Sequence, residues 1–125
     1  MFLVNPKSKQ PLYEQLVEQL RRQLILGVMK AGAAMPSVRQ LATELGINPN
    51  TIQKAYCRME DEGMIVSVPG RGSFVSDDLA GMLEKQRADQ MDQMLHMLRT
   101  CREMGLSKET VAKLVEQAYE EGDVC

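Results

Sequence analysis

Leu12, Leu16, Leu20 and Leu24 recur every four residues, and Tyr13, Val17 and Ile25 widen the stripe they make. That spacing predicts a helix from Pro11 to Leu26 with one apolar face. Pro11 suits its first turn, Glu14 lies near the positive end of its dipole, and Gly27 stops it. The loop Val28–Met35 carries Met29 and Met35 as apolar plugs, with Gly32 at a turn. A second helix follows. Ser37 and Gln40 have the spacing of a capping box, Leu41, Ala42 and Leu45 form the buried stripe, and Gly46 is the stop. A third begins two residues later. Asn48 is its cap, Pro49 takes the first helical position, and Ile47 and Ile52 stand at the two places of a hydrophobic staple. Ile52, Ala55, Tyr56 and Met59 make its apolar face, and Gly63 ends it.

The period then changes. Met64 to Val68 is a β-rich run, Pro69-Gly70-Arg71-Gly72 reads as a tight turn, and Ser73 to Ser76 is a second strand. Phe2-Leu3-Val4 is predicted to be an edge strand on the same sheet. From Asp77 the pattern is helical again. Asp77 and Asp78 look like the cap of a helix starting near Leu79, with Met82 and Leu83 as its first apolar residues. Glu84–Gln90 is almost wholly polar, as in a helix running into solvent or at a hinge. Met91, Met94, Leu95, Leu98 and Cys101 resume the stripe, and Gly105 is the stop. Ser107 caps a last helix, with Leu106 and Val111 as its staple. Val111, Leu114, Val115, Ala118 and Tyr119 form its apolar face, and Gly122 ends it.

Two helices joined by so short a turn must cross steeply, and the hairpin beside them is then a wing. The predicted fold is mostly α with a small β-hairpin. A winged helix-turn-helix domain spans residues 1–76, and a two-helix C-terminal dimerisation region spans residues 77–125. The outer face of the third helix carries Asn50, Thr51, Gln53, Lys54 and Arg58, groups that read base edges and hold phosphates. At the wing, Gly70 and Gly72 permit close backbone approach, and Arg71 stands at the tip, placed for a minor groove. The last two helices cannot form a stable unit by burying their stripes on each other alone. A second copy of the chain is the expected cover, joined through Met91, Met94, Leu95, Leu98, Val111, Leu114, Val115 and Ala118.

Charge sharpens the division. The net charge of the 125-residue chain is −2, but residues 1–76 carry nine Lys/Arg against six Asp/Glu, and residues 77–125 carry six against eleven. The halves are thus +3 and −5, and phosphates favour only the first. Ten Met, no Trp and few aromatics imply an adaptable aliphatic and thioether core. No apolar run is long enough for a membrane span, and Phe2-Leu3-Val4 is too short for a signal-peptide core, so a cytoplasmic location is expected. Cys57, Cys101 and Cys125 have no metal-ligand spacing and fit reduced thiols, with Cys57 and Cys101 in or near the core. His96 with Asp92 four residues before it is a solvated pair rather than a metal site. No catalytic constellation, metal site or cofactor site is found, and an enzyme is not expected.

The motifs in order resemble the GntR family of bacterial transcription regulators over about residues 10–76. The resemblance rests on Pro-Leu-Tyr-Glu-Gln-Leu (11–16), Gly27 and Gly32, and Met-Pro-Ser-Val-Arg-Gln-Leu-Ala (35–42). It continues through Gly-Ile-Asn-Pro-Asn-Thr-Ile (46–52), Lys-Ala-Tyr (54–56), Glu62-Gly63 and Pro-Gly-Arg-Gly-Ser-Phe-Val (69–75). Met29, Ala31 and Met35 depart mildly from the family's Leu, Pro and Leu. The short two-helix tail and Asn-Pro-Asn-Thr at the start of the third helix resemble the YtrA subfamily. The resemblance implies a homodimeric regulator, usually a repressor, often of a nearby transporter operon, bound to double-stranded operator DNA. It carries DNA contact to Arg39, Asn50, Thr51, Gln53 and Gly70. Pro49 stands where many relatives outside the subgroup have arginine.

The expected DNA-binding set is therefore Ser37, Arg39, Asn48, Asn50, Thr51, Gln53, Lys54, Gly70 and Arg71. Two alternatives stay open on sequence. One is a small-molecule effector site at the Met-rich C-terminal helices. The other is a winged helix used as a protein–protein adaptor.

Overall fold

The computed structural model describes residues 2–121. Five helices and one hairpin follow in order: α1 (Leu12–Ile25), α2 (Val38–Leu45), α3 (Pro49–Asp61), β1 (Ile65–Val68), β2 (Gly72–Val75), α4 (Leu79–Glu103) and α5 (Lys108–Glu120). The fold is mostly helical with a two-stranded antiparallel sheet, a winged helix-turn-helix followed by two helices. The chain forms two compact units, one ending at Lys85 and one beginning at Gln86.

The first unit is built on α1. Leu16, Leu20 and Leu24 are buried along one stripe, as the four-residue spacing predicts, and they share one core with Leu41 of α2 and Ile52, Ala55 and Met59 of α3. Met29 and Met35 plug this core from the loop between α1 and α2, and Met64 and Ile65 close it at the start of β1. Ile25 does not join the stripe; it is 54% exposed at the last turn of α1. Pro11 sits one place earlier than expected, as the N-cap residue itself.

The α2–α3 turn follows its caps closely. The Ser37 hydroxyl accepts from the Gln40 amide N–H at 3.0 Å, and the Gln40 side chain accepts from Ser37 N–H at 3.0 Å. Gly46 takes φ 68° and ψ 32°, the left-handed conformation in which a Cβ costs about 1–2 kcal/mol. It lets Ile47 N–H reach back to the Ala42 carbonyl at 3.1 Å. Asn48 Oδ1 then accepts from Asn50 N–H at 2.8 Å and starts α3.

The hairpin pairs Ile65 with Val75 and Val68 with Gly72. Its third neighbour is not Phe2–Val4 but the stretch before α2. Ala34 bridges Phe74, Met35 N–H donates to the Ser73 carbonyl at 2.9 Å, and Val75 N–H to the Ala33 carbonyl at 2.8 Å. The predicted N-terminal edge strand is instead held by side chains of α1. Gln15 Oε1 accepts from Asn5 N–H at 2.8 Å, and Gln15 Nε2 donates to the carbonyls of Asn5 and Gln10. Gln19, one turn on, bonds both backbone groups of Leu3. Two glutamines four apart lie one above the other on a helix and match the repeat of an extended backbone. Phe2 is thereby delivered into the core.

The helix from Leu79 is capped by Asp78, whose Oδ1 accepts from Gly81 N–H at 3.3 Å. Leu79, Met82 and Leu83 pack on the first core, which is why that unit continues past residue 76 to Lys85. The polar stretch Glu84–Gln90 is uninterrupted helix. In the second unit no described residue from Gln86 to Glu121 is buried. Ser107 caps α5 as expected, accepting from Thr110 N–H at 3.1 Å. The expected stop at Gly122 and Cys125 lie outside the described residues.

Gln15 makes three backbone bonds from a buried position, so Gln15→Ala should lower stability by about 1–3 kcal/mol. Chemical denaturation of the variant measures this, and faster amide exchange at Asn5 locates the loss.

Candidate nucleic-acid interface

The apolar face of α3 fixes which side chains are left outside. Ile52, Ala55, Tyr56 and Met59 are buried, so Asn50, Gln53, Lys54, Cys57 and Arg58 are exposed. Thr51 lies at the edge, half-buried. Cys57 was expected near the core and is exposed, because it follows Asn50 and Gln53 at helical spacing on the outer ridge. Gln53 Nε2 donates to its sulfur at 3.5 Å. Cys101 is half-buried on α4.

Three contacts hold α3 against its neighbours. The Tyr56 hydroxyl donates to the Pro36 carbonyl at 2.6 Å, tying α3 to the entry of α2. Burial raises the Tyr56 pKa to about 12, so the phenol stays a donor throughout the neutral range. Arg21 of α1 meets Glu62 at 2.6 Å, and Arg58 approaches the other oxygen of Glu62 at 3.7 Å. The Lys54 ammonium lies 4.1 Å from the centre of the Tyr13 ring, a cation–π contact between α3 and α1.

The other expected site residues divide into two kinds. Ser37 and Asn48 are exposed but occupied as helix caps, so they set the two helix N-termini. Arg39, the second residue of α2, is exposed and makes no hydrogen bond or ion pair among the described residues. At the wing, Arg71 N–H donates to the Val68 carbonyl at 2.9 Å, and Pro69 and Gly70 take the two central places of that turn. Gly70 has φ 76°, the conformation its turn position requires, and no atom lies within 4 Å of where a Cβ would stand. Glycine is set there by the backbone and leaves the tip open. The Arg71 side chain is exposed beside it. The uncapped cations Arg39 and Arg71 and the polar ridge Asn50–Gln53 are thus presented by three different elements of one unit. The acidic side chains Glu60 and Asp61 fall at the opposite, C-terminal end of α3.

The family model for the bacterial regulatory proteins of the gntR family matches residues 12–75, the stretch that builds α1, the α2–α3 turn and the wing. The chain belongs to the GntR family. The HTH-type transcriptional repressor YtrA of Bacillus subtilis is 38% identical over 98 residues, covering 78% of this chain and 75% of that protein. YhcF, an uncharacterised HTH-type transcriptional regulator of the same organism, is 28% identical over 93% of this chain and 96% of its own length. Among solved structures, the GntR-family transcription factor YtrA from Sulfolobus acidocaldarius matches with a TM-score of 0.66 at 26% identity, over 98% of this chain and 99% of that one. The DNA-binding domain of AraR, solved in complex with operator ORE1, matches with a TM-score of 0.51 at 25% identity over 61% of this chain and 93% of that one. The GntR-type domain of this chain makes it a DNA-binding transcription regulator, not an enzyme. No helix among the described residues is long and apolar enough to cross a membrane.

Tyr56→Phe removes the bond to the Pro36 carbonyl and should cost about 1 kcal/mol at neutral pH. The raised folded-state pKa makes the tyrosine's contribution complete below about pH 10 and progressively lost as pH rises toward 12. Denaturation of both proteins across that range should therefore show the tyrosine protein losing its advantage above about pH 10 and falling below the phenylalanine variant as pH nears 12.

Proposed function

We propose that this chain acts as a homodimeric repressor that occupies a palindromic operator, with a transporter operon as the regulated set. The observation that carries the reading is the uncovered polar ridge of α3, flanked by free Arg39 and by the wing tip. Each copy reads one half-site. Two α3 helices enter successive major grooves about 34–36 Å apart, and the wings brace in the adjoining minor grooves. Arg39 supplies charge and a bidentate guanine contact, Asn50, Thr51 and Gln53 bond base edges or phosphates, and Gly70 and Arg71 meet the minor groove. Ser37 and Asn48 act by setting the helix ends. Repression follows from occlusion of promoter DNA. The repressor name of the Bacillus subtilis relative and the operator complex of AraR support the direction of this reading.

Residues 77–125 serve as the dimerisation region. The support is the apolar surface left open in the single chain: Met91 is 64%, Met94 54%, Leu95 46%, Leu114 54% and Val115 50% exposed. Leu98, Val111 and Ala118 complete the stripe on α4 and α5. Water contact over so many neighbouring apolar side chains is unfavourable, and a second copy removes it. The acidic balance of this region keeps it off the phosphates and leaves DNA to the first unit.

Arg39→Ala should weaken binding to a site selected from genomic DNA by about 1–3 kcal/mol in a footprinting titration. Wild-type affinity should fall steeply with salt; a flat salt response would replace DNA reading with a protein-adaptor role. Met94→Glu, at a position already exposed in the single chain, should shift the protein from dimer to monomer in sedimentation equilibrium with its helical content intact.

A further inference from the structure

The outer face of α3 is not uniform. Asn50, Gln53 and Cys57 follow one another at three- and four-residue spacing, and among the described residues their only side-chain bond is the one from Gln53 to Cys57 within the ridge. Lys54 and Arg58 lie one above the other on the flank that faces α1. Both are tied there, Lys54 to the Tyr13 ring at 4.1 Å and Arg58 to Glu62, which itself pairs with Arg21 of α1. Tyr13 in turn is anchored. Its ring packs against the core, and its hydroxyl donates to Glu14 Oε1 at 3.2 Å.

We propose that Tyr13 is a positioning residue that holds the Lys54 ammonium on the α1 side of the recognition helix, where it contacts a DNA backbone phosphate and reads no base. The inference rests on α3 being the DNA-reading helix and adds a division of labour along it: the Asn50–Gln53–Cys57 ridge specifies, and the Tyr13–Lys54 flank grips. A free lysine on a helix surface is a flexible point charge with several rotamers, and ordering it on binding is entropically costly. A ring face that attracts the ammonium restricts those rotamers before DNA arrives and leaves the outer hydrogens of the ammonium available. The hydroxyl's bond to a carboxylate enriches the ring in electron density and strengthens that attraction. An ammonium drawn toward α1 stands aside from the ridge, the position suited to a sugar–phosphate strand bordering the groove.

The test uses the full chain and two duplexes of about 30 base pairs, one selected from genomic DNA and one of scrambled sequence. Lys54→Met should weaken binding to both by the same factor, roughly tenfold, and reduce the slope of log affinity against log salt by about one. Tyr13→Leu should weaken both severalfold with the slope unchanged, since the charge remains. Tyr13→Phe, which keeps the ring face, should restore affinity to within twofold of wild type. In the Lys54→Met background, Tyr13→Leu should have no further effect. Additive losses in the double variant would overturn the proposal, as would failure of the Phe variant to rescue, or a Lys54→Met loss confined to the selected duplex. Thermal melts separate a folding defect from a binding one. If wild type prefers neither duplex and shows no salt dependence, the DNA reading itself fails, a result distinct from lost coupling on a duplex that wild type does bind.

Discussion

Everything in the first unit hangs on the short turn between α2 and α3. Gly46 reverses the chain in the left-handed conformation, Ile47 is drawn toward the core, and Asn48 starts the next helix with its own side chain. Ala42 is small and buried where α2 faces α3, so the two helices approach closely. Once this crossing is set, the rotation of α3 about its axis has no freedom left. Ile52, Ala55, Tyr56 and Met59 must point inward, and the polar ridge must point out. A side chain at Gly46 would strain the one residue that allows both helices to keep their caps.

The remaining contacts of α3 act on that fixed orientation. Tyr56 bonds the backbone just before α2, Glu62 bonds Arg21 of α1, and Lys54 rests on Tyr13. Each is modest alone, and the exposed ones are weakened by solvent. Together they join the helix to elements on two sides, so its outward residues are presented without further ordering. The wing is held in the same way. Backbone hydrogen bonds from residues 32–35 to β2 fasten the two-stranded hairpin to the segment that leads into α2. The cation at its tip and the cation on α2 are therefore positioned by one connected backbone.

Much of this was legible along the chain because it depends on neighbours in sequence. Caps at Ser37, Asn48, Asp78 and Ser107, the stops at Gly27, Gly46, Gly63 and Gly105, and the Pro-Gly turn follow from local hydrogen-bonding and steric rules. The leucine stripe of α1 and the apolar face of α3 follow from a 3.6-residue period. What escaped has no period. Gln15 and Gln19 look like solvated polar residues, yet they clamp Leu3 and Asn5 through partners ten and sixteen residues away. A β-rich tripeptide cannot reveal that its backbone will be satisfied by amide side chains instead of a sheet. Ile25 stands exposed for a related reason: an isoleucine in the last turn of a helix is indifferent between the two sides until the neighbouring element is in place.

The sequence by itself determined the five helices, the hairpin and the family, because capping, chirality and hydrophobic period act over a few residues. It also determined the charge division, +3 before Asp77 and −5 after, which needs no coordinates. Only the tertiary structure decided which polar residues of α3 stand free and which are tied to α1, what the loop before α2 pairs with, and that Leu79, Met82 and Leu83 belong to the first core. Those are contacts between segments distant in the chain, and their energies exist only once the backbone has brought the segments together.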